Sequence, residues 1–409
     1  MNDHRPTTNG GKLLLQMRLP DDARLSTLLQ HFAEEEKPFG AVTPPLYQNS
    51  LFVFEDSREL SDLLVAPDYD APHVYSRISN PTLEVVEKKM AMLEGTEAAK
   101  VISSGMVAIS AAVLSSVEQG AHIVGLDTNY SPTISLLRDF LPRFGVSTTF
   151  VDGRCTEDLF DAITPDTKLV YLESPSTAFL RLQDLEAIAT ECRKRGITTI
   201  CDNSYSTPLF QQPHKVGIDI VVHSASKYLG GHSDITAGVI CASKLRINQM
   251  LKPAGEIPLI SGTLAPFSAW LLGRGLRTLE LRLKAHERTG NEIATWLDDN
   301  NAVDVVHHPG LPSYPQRELF RKQMKGSTGL LSFEPKTQDR EKALDFANAL
   351  RVFQRGISWG GFESLAHPML SQPSDYKEPR NVIRLYCGLE DPADLIADLD
   401  QAFRVSGLG

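Results

Sequence analysis

The sequence predicts an α/β protein built on a mainly parallel sheet, followed by a smaller α+β domain. Three observations predict it. Seven short runs, AAKVIS, HIVGLD, STTFVD, KLVYLES, ITTICDN, IDIVVHS and GVICAS, alternate with helical segments. The runs are β-branched and nearly continuous in apolar residues, the pattern of strands covered on both faces by crossover helices. The alternation then stops around Ser261.

Residues 1–70 read as an N-terminal arm. They are polar, proline-bearing and weakly periodic (AVTPPLYQNS, APDYDAPHVYS), with a short helix around Asp22–Glu36 and no core. Glu34–Glu36 read as a solvated charged face rather than a contact for a basic substrate group. Residues 71–264 form the large domain. Thr82–Leu93 has helical apolar spacing closed by Gly95. Further helices are expected over Val107–Val117, Thr133–Phe144 and Leu185–Arg195. Residues 265–409 form the C-terminal domain. It opens with one helical stretch, Ala265–Asn300, and continues through GLLSFEP, a helix over KALDFANALRVF, and NVIRLYCGLE.

At 409 residues the chain exceeds a single usual domain. Its 41 basic and 51 acidic residues leave a net charge of −10, which argues against a nucleic-acid partner. No apolar run approaches the ~18 residues of a membrane span. The opening MNDHRPTTNGGK has no basic stretch leading into an apolar one, so no secretory signal is expected. Five cysteines, odd in number and never in CxxC spacing, argue against a disulfide framework or a metal site. A cytoplasmic enzyme is expected.

Ligands of open α/β sheets bind beyond the carboxyl ends of the strands. Five sets of residues fall there: Ser103–Met106, Asp127–Tyr130, Glu173–Pro175, Asp202–Ser204 and His223–Lys227. In SSGMVAI a strand ends, Gly105 turns the chain and a helix begins, which suits a phosphate, although ordinary strand–glycine–helix turns look alike. In HSASKY, Ser224 and Ser226 flank Lys227. A solvated lysine is the plain alternative, but the buried strand before it and the Gly-Gly after it suggest a dry amine, usable for a Schiff base. Asp202 lies 25 residues earlier and either caps a turn or keeps a pyridinium protonated. With Tyr130 to stack on a ring, these groups match the needs of pyridoxal 5′-phosphate.

HSASKYLGGHSD, CDNSYSTP, SSGMVAI, VYSRISNPT and GRGLRTLELRL together resemble the Cys/Met-metabolism family of pyridoxal-phosphate enzymes, from about Pro44 to the C-terminus. The resemblance implies the aspartate-aminotransferase-like fold (fold type I) and a homotetramer, a dimer of dimers with shared active sites. It implies that Lys227 binds the cofactor and shuttles protons, and that Asp202 faces the ring nitrogen. Gly105 and Met106 N–H groups, with Ser224 and Ser226, would hold the phosphate, and Tyr130 would stack on the ring and assist catalysis. Tyr75 and Arg77 would reach the neighbouring subunit's phosphate site. Arg384 would hold the α-carboxylate of an amino-acid substrate, with Ser358 and Trp359 beside it.

Within the family, SWGGFESL and Tyr130-Ser131-Pro132 look closest to bacterial cystathionine β-lyases, whereas YSRISNPT looks more like the synthases and γ-lyases. Two departures stand out: Ile357 replaces a glutamate of many γ-acting members, and Thr177 stands where an asparagine is usual. The expected activity is α,β-elimination on a sulfur amino acid such as L-cystathionine, giving pyruvate, ammonia and a thiol. The alternative is γ-elimination or γ-replacement on a homoserine-type or cystathionine substrate.

Overall fold

The computed structural model describes residues 8–9, 12–65, 68–260 and 262–408. Ser261, the first residues of the opening segment and part of the arm lie outside them. The arm carries a small antiparallel sheet of β1 (Thr8–Asn9), β2 (Lys12–Gln16) and β3 (Glu36–Pro38).

All seven strand-like runs are strands. They are β4 (Ala98–Ile102), β5 (His122–Leu126), β6 (Ser147–Val151), β7 (Thr167–Glu173), β8 (Thr198–Asp202), β9 (Ile220–Ser224) and β10 (Gly238–Ala242). They form one sheet in the order β4-β10-β9-β8-β7-β5-β6, parallel except for β10, which runs against both neighbours. Alternate side chains go to opposite faces, as the pleat requires. Val124, Leu172, Cys201 and Val221 join one buried cluster, and Ile123, Tyr171, Ile200 and Val222 join the other. The edge strand β6 is only half covered, so its pattern is mixed. Lys100, a charge inside β4, is neutralised by Glu87 at 2.8 Å and donates to the Ile78 carbonyl.

The C-terminal part has a five-stranded sheet: β11 (Val303–His307), β12 (Leu330–Pro335), β13 (Gln354–Arg355), β14 (Leu365–Ser371) and β15 (Arg380–Tyr386), in the order β11-β12-β15-β14-β13. The helices Arg340–Ala349 and Pro392–Ser406 pack together beside it. Among the described residues no helix is long and apolar enough to cross a membrane.

Local signals place several elements. Asn80 accepts the Thr82 N–H, Pro81 opens the helix Pro81–Glu94, and Gly95 closes it at φ +72°. Four expectations need correction. The arm helix covers only Leu25–His31, because the chain turns at Ala33 (φ 61°) and pairs through β3. The arm is not free of core: Leu29 is buried, and Glu34 is buried between Lys89 (2.5 Å) and Arg277 (2.7 Å) rather than solvated. Removing Glu34 alone would strand a buried lysine, at a cost of about 3–5 kcal/mol. Thr133–Phe144 is a short α-helix, Ser131–Ser135, continued by a π turn and a 3₁₀ turn. The stretch 265–300 is two helices, Pro266–Arg277 and Leu279–Asp298, parted at Thr278. Gly275 lies in the first because a Cβ there would sit 2.3 Å from the Gly230 carbonyl oxygen.

Candidate active site

Because β10 is antiparallel to both β4 and β9, the carboxyl ends of β4, β5, β7, β8 and β9 share one edge. Past β4, Ser104 caps the helix Gly105–Leu114 and accepts the Val107 N–H at 3.2 Å. The N–H groups of Gly105 and Met106 occupy the first helical turn, where no intrahelical partner exists. Gly105 is needed for contact: a Cβ would lie 2.7 Å from the Ser224 Cβ.

Beyond β9 the chain turns tightly. The Ser226 hydroxyl accepts the Ala237 N–H at 2.9 Å, and the Ser224 N–H donates to Ser204 at 2.6 Å. Arg282 braces the turn from the helix Leu279–Asp298, donating to the Tyr228 carbonyl at 2.7 Å and to the Gly275 carbonyl at 2.8 Å. The turn presents the Lys227 amine, which donates to Ser358 Oγ at 2.8 Å and lies 5.6 Å from the centre of the Trp359 ring. Burial, reinforced by the Arg384 charge and opposed by Asp202, brings Lys227 down to about 8.

Two carboxylates end adjacent strands, with Glu173 of β7 paired to Asp202 of β8. Asp202 accepts the Ser204 N–H at 2.9 Å, and burial raises its pKa. Glu173 accepts the N–H groups of Tyr130 and Thr177, each at 2.6 Å. Burial and the Asp202 charge nonetheless push Glu173 up to about 8. Arg384 projects from the middle of β15, is 7% exposed, and donates to the Ile357 carbonyl. Burial lowers its pKa.

These groups line one cavity of about 560 Å³. It brings together Gly105, Met106, Tyr130, Asp202, Ser224, Ser226, Lys227, Ser358, Trp359 and Arg384, along with Thr177 and Ile357. Tyr75 and Arg77 are not among its lining residues. They border a second cavity of about 310 Å³, where Arg77 donates to the Pro258 carbonyl at 2.7 Å and Tyr75 is exposed. Four contributors escaped the sequence reading. Glu173 was visible on the rim without a role. Arg282 lay inside the GRGLRTLELRL motif. Ser233 and Glu363 carried no signal of their own.

A model of the Cys/Met metabolism PLP-dependent enzyme family matches residues 26–404. The chain belongs to that family. It is 39% identical over 379 residues to an L-methionine gamma-lyase of Porphyromonas gingivalis, covering 90% of this chain and 94% of the relative. It is 35% identical over 372 residues to a cystathionine gamma-lyase of Bacillus subtilis, covering 89% and 94%. The crystal structure of metB from Corynebacterium glutamicum superposes with a TM-score of 0.85 at 30% identity, covering 95% of this chain and 100% of that one. The chain is thus a pyridoxal-phosphate-dependent enzyme of fold type I, with relatives named as lyases.

The donor set fits the family's cofactor. The helix N–H groups at Gly105 and Met106, which have no intrahelical partner, and the hydroxyls of Ser224 and Ser226 suit a phosphate dianion. Gly105 keeps that cradle open. A lysine of lowered pKa suits an aldehyde, and a buried carboxylate with one backbone N–H partner suits a protonated ring nitrogen.

Proposed function

We propose that the chain is a pyridoxal-phosphate-dependent carbon–sulfur lyase that performs α,γ-elimination on a short thioether amino acid of the methionine type. The products would be 2-oxobutyrate, ammonia and a thiol. The observation that carries this reading is the wall beside Lys227. Ile357 and Trp359 make it apolar, and its remaining carboxylate, Glu363, is occupied by the Ser233 hydroxyl. Such a wall suits a thioether with a small alkyl end better than one ending in a second amino-acid group. The names of the relatives support γ-elimination over the β-elimination expected from the C-terminal motifs.

The chain's residues have distinct tasks in this reading. Gly105, Met106, Ser224 and Ser226 hold the cofactor phosphate, Tyr130 stacks on its ring, and Asp202 faces its nitrogen. When bound, pyridoxal phosphate supplies the electron sink that makes the substrate's Cα proton acidic. Arg384 holds the α-carboxylate through its planar fork. The Lys227 amine would take the Cα proton, give it up to the bound cofactor, and so be free again to take a Cβ proton as the thiolate departs from Cγ. Ser358 holds that amine in line, with the Trp359 ring beside it. Tyr130 stands at the cavity to return a proton to the leaving sulfur. Arg384 and Lys227 come from different sheets, so the substrate is gripped by both parts of the chain.

We propose further that the enzyme is a cytoplasmic homotetramer, a dimer of dimers. Tyr75 and Arg77 lie outside their own chain's cavity, which supports their serving a partner's phosphate site.

The test is the keto acid released from a panel of methionine, cystathionine, cystine and homoserine esters. Predominant 2-oxobutyrate from a thioether supports the reading. Predominant pyruvate would promote the second one, α,β-elimination, which the Ser131-Pro132 pair after Tyr130 favours.

A further inference from the structure

We propose that Ser233 and Glu363 form a latch that holds the segment 357–363, and with it Ser358 and Trp359, against the lysine turn. Ser233 is then a positioning residue for the proton transfers of Lys227. The inference rests on Lys227 being the base of the proposed lyase, and it adds a residue that sets where that base points.

The first observation is conformational. Ser233 sits at φ +56°, in the left-handed region that glycine adopts without steric penalty. A side chain is retained where none would fit the backbone better. The second is what that side chain does. Its hydroxyl reaches both oxygens of Glu363, at 2.6 and 2.8 Å, across 130 positions of sequence. Among the described residues no cation pairs with Glu363, so this hydroxyl is its polar anchor.

The third observation is packing. Gly360, at φ +91°, rides on the lysine turn: a Cβ there would lie 2.5 Å from the Tyr228 nitrogen and 2.7 Å from the Lys227 Cα. A Cβ on Gly361 would lie 2.0 Å from Ser233 Oγ and 2.4 Å from a Glu363 oxygen. The segment is therefore pared down at two successive positions, one to meet the turn and one to clear the latch. It connects β13 to β14, in the sheet that does not carry Lys227. Ser358 and Trp359 reach the amine only if the segment keeps its seat. Reactive groups need placement within about 0.5 Å, which a contact between two separately built sheets does not supply unaided.

The experiment uses the holoenzyme and the cofactor-free chain, both labelled with 5-fluorotryptophan. The sequence has three tryptophans, and the Trp359 resonance is assigned by its loss in Trp359→Phe. In Ser233→Gly the Trp359 resonance should shift or broaden in the cofactor-free chain, while those of Trp270 and Trp296 stay. The melting temperature should not fall by more than about 2 °C, because glycine suits the backbone there. In the holoenzyme kcat should fall about tenfold with KM changed less. Glu363→Ala should behave alike and covers the case in which Ser233→Gly does not fold. Glu363→Gln, which keeps an acceptor, should recover at least about half of kcat. An unmoved Trp359 resonance in both Ser233→Gly and Glu363→Ala would overturn the latch. So would a kcat loss that Glu363→Gln does not relieve. The fluorine signal does not depend on which keto acid forms, so a wrong choice of substrate leaves it readable.

Discussion

The amine of Lys227 donates to the hydroxyl of Ser358 at 2.8 Å, although 131 positions separate the two residues. The lysine belongs to the turn after β9 and the serine to the segment before β14. The reactive amine is thus held between two sheets.

Lys227 should act from a lowered pKa. With burial and Arg384 bringing it to about 8, the free amine increases as pH rises through 8 and levels off above about 9. We expect the rate of pyridoxal phosphate capture by the cofactor-free chain to follow that curve in stopped-flow absorbance. A rate still climbing at pH 10 would show an ordinary lysine. Lys227→Ala should lose turnover by several orders of magnitude and bind cofactor without the visible absorbance band.

Arg384 should select α-carboxylates. A buried, charge-assisted fork is worth about 2–4 kcal/mol, so Arg384→Ala should lower kcat/KM by about 30- to 1,000-fold. Arg384→Lys should rescue only part of this, since a point charge lacks the fork. Equal turnover of amines lacking the carboxylate would contradict the assignment.

Arg77 should serve a partner subunit. We expect Arg77→Ala to retain cofactor poorly, measured by equilibrium dialysis. Mixing it with Lys227→Ala subunits should restore some activity, because one intact site is rebuilt. Proven subunit exchange without recovery would place the residue elsewhere.

Ile357 should tune the distal end of the substrate. Ile357→Glu puts a carboxylate on an apolar wall and should favour a substrate with a remote ammonium. We expect the kcat/KM ratio of cystathionine to methionine to rise about tenfold, equivalent to ~1.4 kcal/mol. No change in the ratio would remove Ile357 from the selectivity wall.

Acid should destabilise the C-terminal sheet. Burial lowers His286 and His308 to about 4, against 6.5 for a free imidazole. Between those values the unfolded chain binds protons that the folded chain refuses. The stability present above pH 6.5 is therefore lost as pH falls towards 4, by up to about 1.4 kcal/mol per pH unit for each histidine. Denaturant midpoints at pH 7 and pH 5 measure it, and His308→Gln should flatten the slope.

The sheet was legible because its strands are buried on both faces, so each run of apolar residues marks one strand. The rim was legible because ligands gather at strand ends, and Lys227, Asp202, Tyr130 and Gly105 each lie at or just past the end of a strand-like run. The arm was misread because its polar composition conceals a single deep contact: Glu34 is buried only because Lys89 and Arg277 meet it. Arg384 gained its place through resemblance, since an arginine mid-strand reads equally as a surface ion pair. Glu173 stood on the rim, but its bonds to the Tyr130 and Thr177 backbones depend on how two loops fold over β7. Ser233 and Glu363 meet through three-dimensional closure alone, which no local pattern announces.

The brace from Arg282 to the Tyr228 carbonyl spans 54 positions. Translation runs from the amino end, so a growing polypeptide carries the lysine well before it carries the arginine that steadies the lysine's turn. Ser358 and Arg384 emerge later still. The amine has all its supports only once residues 227 through 384 have left the ribosome, so the lysine turn forms for a time without the groups that later steady it.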